Sequence, residues 1–160
     1  RSKPPAWRAG APLKGAVGSN PTPSARTSVA RFAGFSVPIV RIERFEEIEA
    51  WQEARALVLD VYSLTKKPSF YRDRNLSDQL RRAAISIVAN IAEGFERGSN
   101  RQFAQFLAQA RGSAGEVRSL LYVVHDLGYI PDEAFQKALD RAASVARLIT
   151  GFIRYLNANH

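Results

Sequence analysis

The sequence predicts an all-α protein: an up-down-up-down antiparallel four-helix bundle over residues 43–160, preceded by a disordered N-terminal tail over residues 1–42. Three observations lead there. Residues 43–160 hold four segments in which apolar residues return every three or four positions, the period of a helix with one buried face. No strand signal interrupts them. The segments follow one another through short connections, which favours antiparallel neighbours.

The first helix is expected over residues 45–65. Ile48, Trp51, Ala54, Val58, Val61 and Tyr62 form one stripe, and Glu46, Glu47 and Glu49 suit the positive N-terminal end. Lys66, Lys67 and Pro68 end it. Residues 69–75 read as a loop carrying Phe70, Tyr71, Arg72 and Arg74. The second helix is expected over 77–97, with Ser77 as N-cap and Gly94 loosening its last turn. Ser99 and Gln102 have the spacing of a capping box, each satisfying the other's free backbone N–H. They open a third helix over 100–127, with Phe103, Phe106, Leu107, Ala110, Ala114, Val117, Leu121 and Val124 on one face and Gly128 at C′. Gly112 and Gly115 sit inside that helix, where each costs about 1 kcal/mol relative to Ala. Close approach of another backbone is the expected compensation. Pro131 opens the fourth helix at N1. It continues to residue 157 through Phe135, Ala138, Leu139, Ala142, Val145, Ala146, Ile149, Phe152, Ile153 and Leu156.

The second helix carries the most information. At 100° per residue, Arg82, Ser86, Asn90, Glu93 and Arg97 share one polar stripe. Leu80, Ala83, Ala84, Ile85, Ile87, Val88, Ile91, Ala92 and Phe95 cover the opposite arc, roughly twice the apolar width of a surface helix. Such a helix must bury two sides, one against its own bundle and the other against another subunit. Arg82, Ile85, Val88, Asn90, Ala92, Glu93 and Phe95 are therefore read as oligomer interface or structural network. Asn90 and Glu93, one turn apart, fit a binding cleft or a register-setting hydrogen-bond network. The network is the preferred reading, because a partly buried polar group must be paired and Arg82 or Arg97 can pair with these.

Gln79, Arg81, Arg82, Ala83, Ala84, Ser86, Ile87 and Asn90 to Gly94 spell Q-x-R-R-A-A-x-S-I-x-x-N-I-A-E-G. With Phe45, Trp51, Ala54, Val61 and Tyr62 upstream, and Phe103-x-x-Phe-Leu and Gly112-Ser-x-x-Glu116 downstream, this resembles the four-helix bundle family also called the 23S rRNA intervening-sequence proteins. That family includes the accessory variability determinant proteins of diversity-generating retroelements. The resemblance covers residues 43–160. It implies a bacterial, cytoplasmic, pentameric ring that binds structured nucleic acid or a nucleic-acid enzyme such as a reverse transcriptase, and it implies no catalytic activity.

Composition narrows the function further. Of 23 Lys/Arg, seven lie in residues 1–42, where there is no acid, so the tail carries +7 of the net +8 and residues 43–160 are nearly neutral. Without Cys there are no disulfides or thiolate metal sites. The two histidines, His125 and His160, are far apart, and no metal or other cofactor is expected. No apolar run reaches the roughly 18 residues of a membrane span. No nucleophile–base–orienter set, phosphate loop or metal-ligand spacing occurs, so the expectation is a non-enzyme.

Residues 1–42 are rich in Pro, Ala, Ser, Gly and Arg and cannot bury enough apolar surface to fold alone. Three readings stand: a disordered tail or translated upstream sequence, with the true start at the codon now read as Val37 or Val40; a basic nucleic-acid arm; or an organelle transit peptide. In the bundle, Arg72, Arg74, Arg81, Arg97 and Arg101 are the candidate nucleic-acid residues, the first two beside Phe70 and Tyr71 in the basic-plus-aromatic pattern of such surfaces. The alternatives are a protein–protein scaffold with no nucleic-acid role and, more distantly, a small-molecule enzyme using the bundle core.

Overall fold

Apolar residues spaced three and four apart give each helix one face that must leave water, and the four faces meet in a common core. The computed structural model describes residues 27–32, 35–40 and 42–158. The bundle helices are α1 (Glu49–Thr65), α2 (Arg74–Glu96), α3 (Asn100–Asp126) and α4 (Asp132–Ala158). α1 and α3 each pack on both α2 and α4. Facing contacts run in opposite order along neighbours: Thr65 meets Arg81, Gln79 meets Glu116 while Ser86 meets Ser113, and Tyr122 meets Phe135 while Phe103 meets Phe152. The predicted up-down-up-down bundle is the observed one.

Leu57 and Val61 of α1, Leu80, Ile87 and Ile91 of α2, Phe103, Leu107 and Leu121 of α3, and Val145, Ile149 and Leu156 of α4 are fully buried. Each such side chain contributes about 1.5–3 kcal/mol of transfer free energy. Phe95, Phe103 and Phe152 stack edge-on at one end, with centroids 6.0 and 5.1 Å apart.

Several local expectations need correction. Phe45–Glu47 forms a separate 3-10 turn, and α1 starts only at Glu49, because Ile48 takes an extended conformation that buries its side chain. Ser77 is not the N-cap of α2 but lies buried within its first turns. Asp73 caps the helix, its Oδ1 accepting from the Leu76 N–H at 3.1 Å. The expected loop contains a helical turn, Pro68–Tyr71, that sinks Phe70 into the core. Ser99 accepts from the Gln102 N–H at 3.2 Å, while the return bond of the box is not made among the described residues. Pro131 precedes α4 rather than opening it, and its carbonyl accepts from the Phe135 N–H. Gly128 does stand at C′ of α3, with φ +71°; its N–H donates to His125 O and that of Tyr129 to Val124 O, a complete Schellman closure.

Gly94 does not loosen α2. A Cβ there would lie 2.6 Å from Phe106 Cβ and 2.8 Å from Phe103 Cδ2, so glycine is what lets α3 approach. Conversely, among the described residues nothing lies within 4 Å of a Cβ built at Gly112 or Gly115, and both are exposed.

Ahead of the bundle, β1 (Thr27–Phe32) and β2 (Phe35–Val40) pair antiparallel, Thr27 opposite Val40 and Phe32 opposite Phe35. This replaces the expected irregular tail over those residues. The two β-branched and aromatic runs lie two residues apart, a hairpin spacing that the surrounding Pro, Gly and Ser dilute in any average over the segment. The readings of the remaining residues of 1–41 lie outside the described residues.

Candidate functional site

The polar stripe of α2 faces the outer groove between α2 and α3. Gln79 Nε2 donates to Glu116 Oε1 at 3.4 Å, and the Ser86 and Ser113 hydroxyls lie 2.9 Å apart. Asn90 Nδ2 donates to Ser86 O at 2.8 Å and reaches Ser86 Oγ at 3.0 Å. The α2 signature and the Gly112-Ser-x-x-Glu116 stretch of α3 thus meet residue by residue, and Asn90 belongs to a network between helices of one chain. Asn75, Asp78, Gln79, Arg82, Ala83, Ser86 and Glu116 line a cleft of about 460 Å³ in this groove. Arg82 is exposed there and pairs with neither Asn90 nor Glu93. Glu93 instead pairs with Arg97 one turn on, at 2.5 Å.

The five arginines singled out from the sequence divide into two kinds. Arg81 is a structural clamp. Its Nε donates to the buried Thr65 Oγ1 at 2.8 Å, its Nη2 reaches Thr65 O at 3.4 Å, and its guanidinium sits 5.1 Å from the Tyr62 ring centroid. A cation held on the last carbonyls of α1 complements the negative end of that helix. Arg97 is tied to Glu93 and lies over the Phe106 ring at 5.4 Å. Arg72, Arg74 and Arg101 are exposed and, among the described residues, outside any ion pair. Arg72 and Arg74 adjoin Tyr71, which is 52% exposed, and Arg74 and Tyr71 border a small cleft with Ser77 and Asp78. Arg101 stands at the far end of α2, about 33 Å away at 1.5 Å per residue, so one chain does not bring the two groups together.

The wide apolar arc of α2 also resolves. Leu80, Ala83, Ala84, Ile87, Ile91 and Phe95 all belong to the chain's own core. Phe95, only 1% exposed, therefore offers nothing to another subunit. Ile85, 41% exposed, stays outside with half-buried Val88 and Ala92. On α1, half-buried Val58 and Tyr62 lie on the side toward α2, and Leu59, 66% exposed, stands on the adjoining outer surface, so apolar side chains continue outward from the α1/α2 groove.

Sequence reading missed a third face. Arg111 and Arg118 of α3 and Arg147 and Arg154 of α4 are exposed, and among the described residues none is in an ion pair. Their signal is the seven-residue spacing within each helix, which places each pair on one side. Among the described residues no three His, Cys, Asp or Glu side chains gather as a metal-holding group, and no helix is long and apolar enough to cross a membrane.

The bundle is similar to the crystal structure of a protein of unknown function from the S23 ribosomal protein family of Bacteroides thetaiotaomicron, with a TM-score of 0.60 and 21% identity over 66% of this chain and 98% of that one. At that identity the likeness bears on the fold alone. No curated protein matches the sequence significantly. The family model for the 23S rRNA-intervening sequence protein matches residues 46–151, which run from within the 3-10 turn to late α4 and include every signature residue placed above except Phe45. With most of the bundle and both halves of the signature inside that match, the chain belongs to the 23S rRNA-intervening sequence protein family.

Proposed function

We propose that this protein is a non-enzymatic, closed homo-oligomer, pentameric as its resemblance implies, that works in the bacterial cytoplasm by binding structured nucleic acid or a nucleic-acid enzyme such as a reverse transcriptase. The observation that carries the nucleic-acid part is the exposed pair Arg72 and Arg74, outside any ion pair among the described residues and set beside the exposed ring of Tyr71. Guanidinium groups bind phosphate and an adjacent ring stacks on a base, the combination used on single-stranded loops of structured RNA. The apolar α1/α2 face supports self-assembly, and a ring would repeat a small local patch around its rim.

The test is affinity for a structured RNA as a function of salt, with the full chain and with a chain lacking residues 1–42. Binding that survives the truncation, falls steeply with salt and weakens in the double variant Arg72→Ala, Arg74→Ala supports the reading. Binding lost entirely with residues 1–42 would assign it to the basic tail. No binding in either form, with assembly intact, would leave the protein–protein scaffold.

A further inference from the structure

Arg111, Gly115, Arg118, Tyr122 and His125 follow one another at spacings of four, three, four and three, so they form one stripe of α3. Its last two members touch α4: Tyr122 packs edge-on against Phe135 at 5.2 Å, and His125 Nε2 lies 2.7 Å from Asp132 Oδ1. Arg111 and Arg118 therefore stand on the α4 side of α3. On α4, Arg141 marks the side facing α1 through Glu53 and Asp60. Arg147 and Arg154 lie about 120–140° around the helix from it, on the outward surface. The register set by Tyr122–Phe135 and Phe103–Phe152 puts Arg147 near the level of Arg111, and Arg154 near that of Arg101.

The result is two rows of arginine. Within a row the residues are about 10 Å apart, at seven residues of 1.5 Å rise. The rows are separated by about 8–10 Å between helix axes. Among the described residues no carboxylate forms an ion pair with any of the four; Asp140, seven residues before Arg147 on the same side of α4, adds one negative charge beyond the end of that row, and Glu116 lies on the opposite side of α3, beside Gln79.

We propose that this α3/α4 face docks the phosphodiester backbone of a nucleic-acid duplex. The proposal rests on the reading that the bundle binds nucleic acid, and it moves the principal contact from the helix ends to the side of the bundle. All four positions are Arg rather than Lys, and the planar fork grips phosphate bidentately. A duplex carries one phosphate charge per about 1.7 Å of its axis with both strands counted, so cations held about 10 Å apart on rigid helices meet a dense, stiff row of phosphates there. The strip also lacks a stacking platform. Its one exposed aromatic, Tyr122, lies past the end of the rows with its ring packed on Phe135, whereas single-strand surfaces interleave aromatics with their cations. Tyr71 with Arg72 and Arg74 has that second character, so the two faces divide the labour.

The test uses the full chain with a labelled 16-base-pair RNA duplex, the same sequence as DNA, and a polyglutamate competitor. Gln replaces Arg at positions 111, 118, 147 and 154 together, and in a second variant at 147 and 154 alone; circular dichroism and mass confirm that both keep fold and assembly. The four-fold variant should bind duplex at least tenfold more weakly, with a log–log salt slope shallower by about 3–4, and the two-fold variant by about half that. An equal loss on RNA and DNA marks backbone recognition, and a loss on RNA alone marks contact with the 2′-hydroxyls; both support the strip. Full-strength duplex binding by the four-fold variant, weakened only by Arg72→Ala with Arg74→Ala, overturns the strip but leaves the nucleic-acid reading. Duplex binding unaffected by either set and abolished by removing residues 1–42 overturns both. Displacement of duplex by polyglutamate at equal charge concentration overturns the strip in favour of an acidic protein partner.

Discussion

At the scale of the residue, Arg81 shows how a side chain that looks like a ligand group becomes part of the frame. Its guanidinium is spent on Thr65 Oγ1, Thr65 O and the Tyr62 ring. A hydrogen bond from a charged donor contributes about 1.5–3 kcal/mol and a cation–π contact about 0.5–1. Arg81→Ala is expected to lower unfolding free energy by about 2 kcal/mol in urea titrations, and Arg81→Lys to recover less than half of it, since the ammonium lacks the fork. Unchanged stability in Arg81→Ala would return this arginine to the pool of free surface cations. The glycines make a paired test. Ala normally stabilises a helix interior by about 1 kcal/mol over Gly. At Gly94 the new methyl collides with Phe106 and Phe103, so Gly94→Ala should instead destabilise by about 1–3 kcal/mol, as overpacking does. At Gly112, open in the single chain, the same change should stabilise by up to about 1 kcal/mol. A destabilised Gly112→Ala oligomer would show that a neighbouring subunit's backbone lies against it.

At the scale of the element, the start of α2 is held by a contact set that reaches across the sequence. Asp73 caps α2 with Oδ1 and accepts from the Tyr129 hydroxyl with Oδ2 at 3.2 Å; Ser69 donates to Tyr129 O, and the Tyr129 ring stacks on Phe70 at 5.5 Å. Burial, with help from the bond to Asp73, pushes the Tyr129 phenol above its ordinary value. A phenol raised in the folded state lends stability that is complete below its unfolded value near 10 and is lost as pH climbs through the folded one. Urea midpoints should therefore fall between pH 9 and pH 11. Tyr129→Phe should flatten part of that slope, leaving the share of Tyr155, whose phenol burial also raises. An identical alkaline slope in Tyr129→Phe would refute the linkage. The helices themselves were legible because long amphipathic periods override local detail. Their ends were not. Ser77 is as good a cap by type as Asp73, and only Phe70, by sinking into the core through its own helical turn, decides which of them stands at the boundary.

At the scale of the whole molecule, what the sequence could not show is which side of each helix meets which neighbour. The signature groove was half visible: Asn90 and Glu93 stood out on a polar stripe, but their partners Ser86 and Arg97 needed the fold to be assigned. The α3/α4 arginines were invisible, because Arg111 and Arg147 become neighbours only through the register of two helices. The apolar excess of α2 is divided by the fold: Phe95 lies in the chain's own core, while Ile85 of α2 and Leu59 of α1 stay exposed. That division yields a sharper test of assembly. Leu59 and Ile85 are both exposed in the single chain, so replacing each with Asp removes no core contact and should leave helicity and the monomer's fold intact. In an oligomer built on the α1/α2 face, the same two carboxylates would be buried without partners, at a cost of several kcal/mol per subunit. Light scattering of the wild type should give several times the 17.7 kDa chain mass, five times for the ring that the resemblance implies, and the same mass at every salt concentration, as an apolar contact predicts. The Leu59→Asp, Ile85→Asp variant should fall to the chain mass with its circular dichroism unchanged. A variant that still assembles would place the interface on another face, and the exposed glycines of α3 would be the next to examine.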